Sequence, residues 1–186
     1  IDMVSVLSNV AGVRGLERAR AAGIPANVVE HNNFDGRESF EGALDEALSK
    51  AGVDFLCLAG FMRLLTDGFV NQWQDRLINI HPSLLPAFKG LDTHARAIEA
   101  GVRFAGCTVH FVRPAMDDGP IIVQAAVPIV NGDTPASLAE RVLSEEHKIY
   151  PIALRLIAEG RTTVTGGRVI IDGAGAAKAA VINPPD

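Results

Sequence analysis

The sequence predicts an α/β fold: an open, mostly parallel, doubly wound sheet with an antiparallel C-terminal portion. Three observations carry this. Strand-like and helix-like segments alternate through the first half, the run Phe55-Leu56-Cys57-Leu58-Ala59 is continuously apolar, and two β-branched stretches, Cys107–Val112 and Ile121–Ile129, flank a loop rich in Pro, Gly and Asp. Alternation of strand and helix is the pattern of βαβ units. An unbroken apolar run suits a strand covered on both faces. Two consecutive β-prone stretches around a turn-rich loop suit an antiparallel pair.

Taken in order, Met3–Leu7 reads as a strand and Gly15–Ala22 as a helix closed by Gly23. Asn27–Glu30 reads as a short strand. Arg37–Lys50 places Phe40, Ala43, Leu44, Ala47 and Leu48 at helical spacing. Phe55–Ala59 is a strand, Thr66–Gln74 a helix capped by Thr66, and Leu77–Ile80 a strand again. Thr93–Ala100 is a short helix. Asp133-Thr134 caps a helix that reaches about Glu159, with a break allowed at Pro151. Gly166-Gly167, between β-prone residues in Thr163–Asp172, signals a hairpin. Residues 173–186 form a Gly/Ala/Pro tail, so the chain reads as a single domain over 1–186.

Composition narrows the function. At 186 residues the chain can bury roughly 70% of its unfolded surface. Lys+Arg 17 against Asp+Glu 22 gives a net charge of −5 without a basic block, which disfavours a nucleic-acid partner. No apolar run nears the ~20 residues of a membrane span. Two cysteines, no CxxC and no histidine cluster with ligand spacing predict reduced thiols in a cytoplasmic protein and no metal site.

The chemistry concentrates at Asn79-Ile80-His81, followed by Pro82-Ser83. Residues i and i+2 of a strand share a face, and Pro82 favours an extended His81. An amide donor and an imidazole therefore leave the end of a core strand together. That is where ligands bind in open α/β sheets, and the pair suits a reaction that forms an oxyanion and moves a proton. The loop Ser83–Gly90 carries large apolar residues, as a pocket wall would. Asp117, in the long loop, is the second element, because a carboxylate beside an imidazole favours the imidazolium.

Several stretches closely resemble the phosphoribosylglycinamide formyltransferase family, the folate-dependent transformylases of purine synthesis. They are Asn79-Ile80-His81-Pro82-Ser83-Leu84-Leu85-Pro86, Gly90-Leu91-Asp92-Thr93-His94, Gly106–Val112 and Met116-Asp117-Asp118-Gly119-Pro120-Ile121-Ile122. Leu58-Ala59-Gly60-Phe61-Met62-Arg63 and Glu145-Glu146-His147-Lys148-Ile149-Tyr150-Pro151 resemble it as well. The resemblance implies transfer of a formyl group from 10-formyltetrahydrofolate, as co-substrate, to the amine of glycinamide ribonucleotide. It implies a catalytic trio of Asn79, His81 and Asp117. It also implies folate contacts at Arg37, Met62, Arg63, Leu64, Leu65, Asn79, Arg113, Ala115, Met116 and Asp117, and ribonucleotide contacts at Glu146 and Pro82. His110, sharing a strand face with Thr108, could flank the site or serve the structure alone. The implied partners are small-molecule substrates only, and the implied assembly is a monomer or weak homodimer.

Members of that family begin with one more strand, whose Gly/Ser/Asn-rich turn opens a helix and cradles a phosphate. That unit is expected upstream of Ile1. Three other functions compete: a formyltetrahydrofolate hydrolase using water as acceptor, a methionyl-tRNA formyltransferase, and a folate-binding domain without turnover. The −5 charge and short C-terminus argue against tRNA binding, and formate release without ribonucleotide separates the hydrolase from the transferase.

Overall fold

The computed structural model describes residues 1–175 and 181–184, so the expected tail, 173–186, lies partly outside the described residues. The chain divides into two compact units, Ile1–Leu56 with Arg63–Trp73, and Cys57–Met62 with Gln74–Asp186.

The first unit opens with β1 (Val6–Ser8), α1 (Arg14–Ala21) and β2 (Ala26–Val28), in which β1 and β2 pair in parallel with Val6 opposite Ala26. This is the βαβ rhythm the sequence predicts. Helix α2 (Arg37–Lys50) has the expected bounds and buries Phe40, Glu41 and Leu48. Buried Glu41 is satisfied by Thr66, whose backbone N–H donates to it at 2.7 Å and whose hydroxyl donates to its second oxygen. Thr66 in turn caps α3 (Asp67–Gln72), accepting from the Phe69 N–H at 3.3 Å. One threonine thus ends a loop, starts a helix and pairs a carboxylate that would be costly to bury alone.

The second unit is built on a four-stranded sheet ordered β3 (Leu56–Leu58), β4 (Leu77–His81), β5 (Phe104–Phe111), β6 (Ile121–Pro128). β4–β5 and β5–β6 are antiparallel, so with β1–β2 the chain carries both parallel and antiparallel pairs. Leu77, Ile78, Cys107 and Val109 are fully buried, as are Leu138, Val142 and Ala153 of α5 (Pro135–Ala158). Helix α4 (Thr93–Glu99) precedes β5, and β7 (Thr162–Thr165) with β8 (Arg168–Ile171) forms the hairpin signalled by Gly166-Gly167. Among the described residues no helix is long and apolar enough to cross a membrane.

Two expectations need correcting. Pro151 lies inside α5 without ending it. The missing N–H removes one rung, but Ile149, Ala153 and Leu156 remain buried on both sides of it, and this packing holds the helix through the gap. The apolar run at β3 is not covered on both faces: Leu56 and Leu58 are half-buried and Cys57 is exposed.

Backbone closeness sets the loop between β5 and β6. A Cβ placed on Gly119 would lie 1.6 Å from the Phe111 carbonyl oxygen, whereas one on Gly42, exposed on α2, would meet nothing within 4 Å. Gly119→Ala should therefore destabilise by roughly 2–4 kcal/mol, because backbone must move. Gly42→Ala should stabilise by about 0.5–1 kcal/mol. Urea denaturation of both variants checks the contrast, and equal midpoints would contradict it.

Candidate active site

Strand β4 presents Leu77, Asn79 and His81 on one face, with Asn79 half-buried and His81 6% exposed. Across the antiparallel ladder Asn79 stands opposite His110 and His81 opposite Thr108. Directly opposed residues share a face, so these four polar side chains form one cluster at the end of the core sheet. Thr108 is fully buried and satisfied three times. Its hydroxyl donates to the Ser83 carbonyl at 2.7 Å and accepts from the Leu85 N–H at 3.1 Å and the Gln124 side-chain amide at 3.0 Å. These bonds pin the loop after His81 to the sheet. The Ser83 hydroxyl donates to the Ala87 carbonyl at 2.6 Å and tightens the loop further.

That loop returns to the histidine. Phe88, in the left-handed region at φ +53°, places its carbonyl oxygen 3.0 Å from His81 Nε2. On the other side of the ring, Nδ1 stands 3.5 Å from Asp117 Oδ2. Both ring nitrogens face oxygen acceptors, and a ring protonated on both can donate to each.

Asp117 reaches the ring from the β5–β6 loop, itself in the left-handed region at φ +51°. Its side chain is only 12% exposed. The Gly90 N–H donates to Oδ2 at 2.8 Å, which gives the carboxylate a second partner in this buried place. Asp118 is the neighbouring carboxylate of the same loop. It is largely exposed yet pairs with Lys89, so the loops 86–90 and 113–119 meet twice in two residues.

His110 completes the cluster from β5, at a point where the β5–β6 register shifts between Val109 and His110. Its Nδ1–H donates to the Phe111 carbonyl at 3.0 Å, and its Nε2, 3.9 Å from Asp117 Oδ1, has no hydrogen-bond partner. Burial is the main cause of its lowered pKa, outweighing the Phe111 carbonyl and the Asp117 charge, and keeps this imidazole neutral.

The remaining expected positions are distributed as follows. In the second unit, Met62, Ala115 and Met116 are exposed. Arg113 is half-buried, donating to Asp75 at 2.5 Å and to the Val112 carbonyl at 2.9 Å. Pro82 and Glu146 line a cavity of about 310 Å³ with His94, Ala139, Glu140 and Leu143. Burial raises the Glu146 pKa and lowers that of His94. In the first unit, Arg37, Arg63 and Leu64 are exposed and Leu65 is half-buried. Three partners of the site were not foreseen from the sequence: the Phe88 carbonyl, the Gly90 N–H and Lys89. The first two are backbone groups, which no residue pattern advertises. Lys89 beside Gly90 was the only side-chain signal. Among the described residues there is no group of three or more His, Cys, Asp or Glu able to hold a metal ion.

The formyl transferase family matches residues 1–154. The chain is 50% identical over 163 residues to the trifunctional purine biosynthetic protein adenosine-3 of Gallus gallus, which covers 88% of this chain. It spans only 16% of that protein's length. It is 43% identical to the phosphoribosylglycinamide formyltransferase of Escherichia coli, over 91% of this chain and 80% of that one. The crystal structure of glycinamide ribonucleotide transformylase 1 from Symbiobacterium toebii superposes with a TM-score of 0.87 at 51% identity, covering 90% of this chain and 79% of that one. Asn79, His81 and Asp117 thus sit in a chain that belongs to the formyl transferase family, among the phosphoribosylglycinamide formyltransferases.

Proposed function

We propose that this chain transfers the formyl group of 10-formyltetrahydrofolate to the amine of 5-phosphoribosylglycinamide, with Asn79, His81 and Asp117 as its catalytic residues. The observation that carries the reading is the Asp117 carboxylate 3.5 Å from His81, itself two residues beyond Asn79 on one strand face. Family membership supplies the reaction class, and the cluster supplies groups suited to it.

The neutral amine attacks the formyl carbon. A C–N bond forms and the carbonyl electrons move to oxygen. The Asn79 amide N–H donates to that developing oxyanion, a contact worth roughly 3–4 kcal/mol when pre-placed. The attacking nitrogen passes a proton to solvent water, and the oxyanion electrons return to re-form the carbonyl as the bond from carbon to N10 of the folate breaks. N10 takes a proton from His81, which regains one from solvent. The proton on Nε2, turned away from Asp117, is the one available once the ring leaves the Phe88 carbonyl. Asp117 holds the other side of the ring and stabilises its positive charge.

Arg37, Met62, Arg63, Leu64 and Leu65, with Arg113, Ala115 and Met116, are the proposed folate contacts. Exposed Met62 and Met116 offer apolar surface to a flat heterocycle. Glu146 and Pro82 are the proposed ribonucleotide contacts, in the cavity they share. The protein acts on small molecules, and the cytoplasm is its proposed compartment.

His81→Ala should lower kcat by about 10²–10⁴ while leaving the Kd of a folate analogue nearly unchanged. Wild-type turnover in that variant would remove His81 from the mechanism. Asp117→Asn removes the carboxylate that stands 3.5 Å from the ring and orients it, so kcat should fall by about tenfold or more with little change in the Kd of a folate analogue. Unchanged kcat in that variant would exclude the carboxylate. Formate release measured with and without glycinamide ribonucleotide tests the acceptor: rapid release in its absence would indicate hydrolysis instead.

A further inference from the structure

Asp117 occupies an unfavourable position in two respects. A left-handed φ costs a non-glycine residue energy, and its carboxylate is removed from most of its water. The Gly90 N–H offsets part of this cost. What else keeps the two loops together is local. Lys89, the residue before Gly90, pairs with Asp118, the residue after Asp117. Both partners of that pair are partly exposed, Lys89 by 33% and Asp118 by 58%, so neither is needed to fill the core. The Lys89 stem leads back to Phe88, whose carbonyl holds His81 Nε2. A single pair of opposite charges therefore ties the segment touching one nitrogen of His81 to the segment touching the other.

We propose that Lys89 and Asp118 are positioning residues: their ion pair clasps the loops 86–90 and 113–119 together and so sets the Asp117 carboxylate against His81. The inference rests on the formyltransferase reading above. Neither side chain touches substrate in it, and the clasp acts only through Asp117 and the Phe88 carbonyl. The other titratable groups within electrostatic reach of His81 and Asp117 are His110 from β5, His94 from α4 and Glu146 from α5. Of these, His110 also feels the Lys89 charge, which adds to the lowering of its pKa.

An exposed ion pair is weak and screened by salt, and this gives the test its signature. Lys89→Met and Asp118→Asn should each lower kcat by about twofold to fivefold. Raising ionic strength should reduce wild-type kcat by a similar factor and leave the two variants nearly flat. The exchange Lys89→Asp with Asp118→Lys should restore both the rate and the salt response. A purely structural contact would change the thermal midpoint without changing kcat or its dependence on ionic strength, and that result would overturn the proposal. So would single variants with the wild-type salt response. If the exchange fails to restore a rate lost in Lys89→Met, Lys89 acts on substrate directly and the clasp is rejected. No formyl transfer by the wild-type protein at low salt would instead reject the underlying function, a distinct outcome.

Discussion

A carboxylate held against an imidazole, away from water, is the constraint on which the rest of this structure depends. Asp117 is 12% exposed and His81 nearly buried, and their closest approach is 3.5 Å. Such a charge is tolerable only with partners in reach, and they come from parts of the chain far apart in sequence. His81 ends a strand that starts in the core at Leu77, and Gly90 turns a loop pinned by Thr108. Asp117 rides a loop whose exit, at Gly119, presses on the Phe111 carbonyl. Each device brings a donor to the carboxylate or keeps the carboxylate from drifting.

The β5–β6 pair shows how a scaffold feature becomes a functional one. Its register shifts between Val109 and His110, next to the cluster. A bulge re-aims side chains and ends regular pairing, and here irregularity begins just where the chain must leave the sheet, loop over its face and return at Ile121. Gly119 permits the return, since any side chain there would overlap backbone.

Much of this was legible in the residues because it follows periodicity or local chemistry. α2 has the bounds its helical spacing predicts, Thr66 caps as its hydroxyl suggests, and Asn79 and His81 share a face because strands alternate. The misreadings have physical causes. An apolar run does not say what covers it, so β3, with Cys57 exposed, was credited with more burial than it has. A proline inside a helix removes one bond but not the packing on either side, so Pro151 did not break α5. The Phe88 carbonyl and Gly90 N–H were invisible for a deeper reason: every residue but proline carries both groups, and only the fold decides which ones face a histidine. Nothing in the residue pattern pairs Lys89 with Asp118, because they lie 29 residues apart and only the fold brings their loops together.

Two histidines flank Asp117, and the same carboxylate cannot serve both as a proton's counter-charge. Their surroundings separate them. His110 is almost fully buried, its Nδ1–H is committed to the Phe111 carbonyl, and its Nε2 sits 3.9 Å from Asp117, beyond hydrogen-bond reach. Burial lowers its pKa more than Asp117 raises it, so it stays neutral. His81 stands closer to the carboxylate and finds a second oxygen, that of Phe88, on its far side. Placing two similar side chains in unlike environments is a general way to assign them different proton tasks. The neutral ring opposite Asn79 does not compete as a cation for Asp117, which leaves the charge of that carboxylate to His81.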